Sequence, residues 1–116
     1  LNAERIILPG VGAFGNAMAQ LEKTGLQQWF DTRIFSGHEM PHNKPAPDVY
    51  LAAMHTLQVK PLSCFVIEDT VTGVCAGMAA GATVIGLCLP GNPVVTGADL
   101  QAAGASVVVH ATSPQI

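Results

Sequence analysis

The chain has 116 residues, enough for one domain with a real core. It is 49% hydrophobic and only 11% charged, so it is expected to bury elements on more than one face, as a parallel sheet under helices does. A net charge of −3, with five basic residues dispersed singly, argues against nucleic acid or an anionic membrane as a partner.

No apolar run reaches the roughly 18 residues of a membrane helix, and no leader is evident. Cys64, Cys75 and Cys88 are odd in number and lack metal-ligand spacing, so reduced, buried thiols in a cytoplasmic setting are expected. The absence of a starting Met reads as a processed, tagged or engineered chain.

In chain order, residues 5–8 form a short apolar strand ended by Pro9-Gly10, followed by a helix over 14–23 with apolar residues at Phe14, Ala17, Met18 and Leu21. Trp29 and Phe30 are expected to pack the end of that region onto the sheet. Residues 33–37 read as a second strand. Pro45-Ala46-Pro47-Asp48 opens a helix whose buried stripe is expected at Val49, Ala52, Ala53 and Leu57.

Residues 64–67 are a continuous apolar strand running into Glu68-Asp69, with Asp69 expected to cap the helix that follows over 71–80. Residues 83–87 are a strand, 98–103 a short helix and 106–109 the last strand. This βα alternation predicts a single α/β domain over 1–116, three-layered, with a five-stranded parallel sheet in the flavodoxin-like order 2-1-3-4-5.

Two stretches resemble known families. Lys44, in His42-Asn43-Lys44-Pro45-Ala46-Pro47-Asp48, matches the third motif of haloacid dehalogenase superfamily phosphatases and phosphomutases. Glu68-Asp69, followed by Thr70 and Gly73, matches the fourth. The resemblance, over residues ~27–116, implies that Lys44 neutralises a phosphoryl group and that Glu68 and Asp69 hold Mg²⁺, which is bound by one or two carboxylates plus water and phosphate.

Residues 1–26 instead resemble the oxyanion-strand region of a class I glutamine amidotransferase, closest to the glutaminase subunit of imidazole glycerol phosphate synthase. There Pro9-Gly10-Val11-Gly12-Ala13-Phe14 is the loop whose backbone N–H stabilises the oxyanion. The likeness implies a small-anion site at Gly10, Val11 and Gly12, with Lys44. A tight βα turn explains the same residues.

The haloacid dehalogenase nucleophile motif, Asp-x-Asp-Gly-Thr, does not occur, and Leu8-Pro9-Gly10 stands where its second motif would place Ser or Thr. Cys75 falls inside a helix, so it is not an amidotransferase nucleophile. His38, His42 and His55 read as surface or structural residues. A receiver-like phospho-acceptor lacks its acidic pair after the first strand.

The expected protein is therefore an engineered, non-catalytic chimera joined between Leu21 and Trp29, with Lys44 and Asp69 as remnants of a catalytic set. No cofactor is required, though weak Mg²⁺ or phosphate binding is expected, and a homodimer or strand-exchanged dimer would hide the apolar surplus. The alternative is part of a Mg²⁺-dependent haloacid dehalogenase-type phosphatase completed by another chain.

Overall fold

A computed structural model describes residues 6–7, 14–30, 32–91 and 94–112. Its strands are β1 (Ile6–Ile7), β2 (Phe65–Glu68), β3 (Thr83–Cys88) and β4 (Val107–His110). The helices are α1 (Phe14–Thr24), α2 (Gln27–Phe30), α3 (Asp48–Leu57), α4 (Val71–Ala79) and α5 (Gly97–Ala102).

The strands form one parallel sheet in the order β1-β2-β3-β4. Ile6 pairs with Phe65 and Ile7 with Val66, so the first strand lies directly against the one ending in Glu68, as the sequence suggested. Five strands in the order 2-1-3-4-5 are not found among the described residues. The missing one is the strand expected over 33–37.

That stretch is instead irregular, leading into a 3-10 turn at Gly37–Glu39. Local hydrogen bonds hold it. Arg33 turns back, its guanidinium donating to the carbonyls of Phe30 (3.1 Å) and Trp29 (3.0 Å). Ser36, buried, accepts from the N–H of His38 at 3.3 Å. Side-chain bonds of this kind give the backbone an alternative to a sheet ladder.

Period-2 alternation gives the sheet two unlike faces. Val66 and Val84 are fully buried under α4 and α5, together with Val74 and Leu100. Gly77 makes this contact close, since a Cβ there would lie 2.7 Å from a methyl of Val84. The opposite face carries Phe65, Ile67, Ile85 and Leu87, all half-buried, and Val107 and Val109, which are exposed.

On α3 the buried side chains are Tyr50, Ala53 and Met54, with Val49, Ala52 and Leu57 only half-buried. The stripe is thus centred one position further along than predicted. Trp29 is 69% exposed, contrary to the expectation that it packs on the sheet. Its helix, α2, has only four residues and buries none of them. The three cysteines are free; Cys64 is buried as expected, whereas Cys75, placed within α4 as expected, and Cys88 are only half-buried. No described helix is long and apolar enough to cross a membrane.

Candidate functional site

The C-terminal end of β2 gathers the phosphatase-like residues. β2 delivers Glu68 onto the α4 face of the sheet, where it is 2% exposed. Such a carboxylate must be compensated, because an unpaired buried charge is costly. Its Oε1 accepts from the Lys44 ammonium and from the Tyr50 hydroxyl. Its Oε2 accepts from the Thr70 hydroxyl at 3.3 Å.

Each partner arrives on a different element. Lys44 comes from the loop before α3, which is closed by Asp48, whose Oδ2 faces both the backbone N–H (3.2 Å) and the ring Nδ1 (3.1 Å) of His42. The Lys44–Pro45 peptide bond is cis. Tyr50 lies on the buried face of α3, its ring centroid 5.0 Å from the Lys44 Nζ, within cation–π range.

Thr70 is the N-cap of α4, accepting from the N–H of Gly73 at 3.1 Å. The cap is therefore Thr70, not Asp69. Asp69 lies one residue earlier, at the strand end, where a side chain reaching back to the helix N–H groups is replaced by the hydroxyl of its neighbour. Gly73 has a second role: a Cβ at this position would fall on the Glu68 carboxylate.

The electrostatics follow from burial. Tyr50 is pushed far above the usual phenol range by burial first, then by the adjacent Glu68 that it donates to. Burial also raises the Asp69 carboxyl, its own backbone N–H opposes this, Glu68 adds to the rise and Lys44 counters it. The carboxyl of Asp69 is 6% exposed by residue and its environment favours a compensating cation.

The donor chemistry suits Mg²⁺, a hard cation that takes one or two carboxylates and keeps several waters. Among the described residues no three His, Cys, Asp or Glu side chains converge. Two adjacent carboxylates could thus supply part of a coordination shell, with water, phosphate or a further acidic group completing it.

Lys44, Glu68 and Asp69 are brought together, whereas Gly10, Val11 and Gly12 lie outside the described residues. His42 pairs with Asp48 on the surface, with its side chain 75% exposed. The sequence reading missed Tyr50. Its signal was available: Tyr50, Ala53, Met54 and Leu57 follow the i, i+3, i+4, i+7 spacing of a buried helix face, and a buried tyrosine hydroxyl requires a partner.

Comparison with known proteins matches residues 13–87 to the family described as haloacid dehalogenase-like hydrolase. That is most of the chain, which therefore belongs to this family. The match takes in α1, so the helix assigned above to an amidotransferase-like segment lies within the hydrolase match.

A crystal structure of a haloacid dehalogenase-like protein from Agrobacterium tumefaciens superposes with a TM-score of 0.75 at 29% identity, covering 94% of this chain and 50% of that one. A hydrolase of the same family from Deinococcus radiodurans, crystallised with phosphate and sodium, gives a TM-score of 0.64 at 35% identity, covering 86% and 44%. The fructose-1-phosphate phosphatase of Escherichia coli is 40% identical over 65 residues, 56% of this chain and 34% of that protein.

The chain thus spans about half of these solved relatives and a third of this curated one. None of these relatives is an amidotransferase. The expectation of a non-enzymatic scaffold is overturned: the family and its named members are hydrolases and phosphatases.

Proposed function

We propose that this chain supplies the lysine and acidic part of a Mg²⁺-dependent phosphatase site, and that the nucleophilic carboxylate comes from another polypeptide segment. The observation that carries this reading is the Lys44–Glu68 pair at a strand end with Asp69 beside it. Active-site ligands in parallel α/β folds bind beyond the C-terminal ends of strands. Asp-x-Asp-Gly-Thr is not present in these 116 residues, so the covalent chemistry needs a second contributor.

In this reading Lys44 does the electrostatic work. Its side chain is 28% exposed while its anchor Glu68 is 2% exposed, so the ammonium can meet a phosphate oxygen while its position is fixed from beneath. Preorganised charge of this kind lowers the barrier without rearrangement during the reaction. Asp69 would be the chief protein ligand of Mg²⁺, which neutralises charge on a phosphoryl group and orients it. Glu68, committed to Lys44, Tyr50 and Thr70, serves mainly to hold Lys44.

The test is complementation. The chain is co-expressed with an amino-terminal segment of a family member that carries Asp-x-Asp-Gly-Thr. The complex is assayed on sugar and nucleotide phosphates with phosphoaspartate trapping. Mg²⁺-dependent hydrolysis that falls by about 10²-fold or more in Lys44→Met and Asp69→Asn is expected. A stable complex whose hydrolysis ignores both substitutions would refute the assignment.

A further inference from the structure

We propose that Tyr50 is a positioning residue that sets how available the Lys44 ammonium is to a phosphate group, acting through Glu68. This rests on the reading that Lys44 contacts phosphate. The geometry is specific. One oxygen of Glu68 receives both the Lys44 ammonium and the Tyr50 hydroxyl, and the Tyr50 ring stands 5.0 Å from the same ammonium.

A lysine locked to one carboxylate forms a nearly neutral pair that offers little field to an incoming dianion. A second donor on the shared oxygen draws electron density towards the phenol and loosens that pair. The ring face meanwhile limits where Nζ can travel. Lys44 thereby keeps N–H capacity on its solvent side, where 28% of its side chain is exposed. Tyr50 itself is closed to solvent, being 2% exposed.

Removing only the hydroxyl leaves the packing and the ring contact intact. The Glu68 oxygen then belongs to Lys44 alone. The pair tightens and an anion must compete with it at full strength.

Tyr50 is the single tyrosine of the chain, so it reports on itself. The protein is labelled at the tyrosine ¹³Cζ, which gives one resonance, and titrated with inorganic phosphate. The resonance is expected to move as phosphate draws on Lys44, and not to move in Lys44→Met. Phosphate affinity, followed separately by calorimetry, is expected to weaken about tenfold in Tyr50→Phe, the size of effect a hydrogen bond to a charged group supports.

A wild-type resonance that stays fixed while calorimetry shows phosphate binding to saturation overturns the proposal, and needs no variant to fold. So does a folded Tyr50→Phe with phosphate affinity within twofold of wild type. Phosphate binding that is undiminished in Lys44→Met instead overturns the phosphate role of Lys44, on which the proposal rests.

Discussion

Replacing Gly73 with alanine separates the demands of the site from those of the helix. On an ordinary exposed helix the change would favour folding by up to about 1 kcal/mol. Here the new Cβ would land on the Glu68 carboxylate. Two escapes exist, and both are costly. If Glu68 withdraws, its bonds to Lys44 and Tyr50 break and leave a buried charge uncompensated, a loss of about 3–5 kcal/mol.

If α4 shifts outward instead, its close seat on Val66 and Val84 at Gly77 is lost, an overpacking strain of about 1–3 kcal/mol. The cheaper escape sets the outcome, so with part of the helical gain subtracted Gly73→Ala should destabilise by about 1–2 kcal/mol, or roughly 4–8 °C in Tm for a domain of this size. Urea unfolding followed by far-ultraviolet circular dichroism is the suitable assay, since the exposed Trp29 would report poorly. Gly15→Ala on α1, where a Cβ meets nothing within 4 Å, is the control and should be neutral or slightly stabilising. A Gly73→Ala protein within about 0.5 kcal/mol of wild type, at unchanged m, would refute the argument.

Other expectations follow from the same geometry. Because burial raises the Asp69 carboxyl, wild type loses stability as pH climbs through and above the ordinary carboxylate range. Asp69→Asn should therefore be the more stable protein at pH 7, with the gap closing near pH 4; an equal gap at both would contradict this. Leu100→Ala removes a fully buried side chain and should cost about 2–5 kcal/mol in the same urea assay. The half-exposed sheet face should drive concentration-dependent self-association, seen by light scattering and reduced in Val109→Lys. A sharp monomeric mass at high concentration would remove that expectation.

Most of the sheet was legible because its signals are local. The apolar runs at β2 and β3 and the helix between them are each set by a few adjacent residues, although the cap of that helix is Thr70, one position past the Asp69 expected. The stretch over 33–37 misled for a related reason: Ile34-Phe35 has strand composition, while Arg33 and Ser36 bind their own neighbourhood. Trp29 was judged by size, yet a four-residue helix gives it no surface to cover.

Lys44, Glu68 and Asp69 were legible only through family likeness, since 24 residues separate Lys44 from Glu68. Tyr50 escaped because its partner is chosen by how α3 packs against the end of β2, which no local pattern states. The Pro9–Phe14 loop shows the converse hazard. A short glycine-rich turn sequence is common to unrelated α/β enzymes, and the match over residues 13–87 carries more weight than the likeness over residues 1–26.

The unequal faces of the sheet bear on how the chain behaves as a solute. Register places Ile67, Ile85 and Val107 side by side in one row, with Leu87 and Val109 in the next. None of these residues is charged, and the whole chain offers few charges elsewhere. Excluded salts such as sulfate strengthen the tendency of apolar area to leave water. The salting-out curve of this chain is then governed by one side of three strands, and should fall more steeply with ammonium sulfate than a charge-rich surface of equal area would allow.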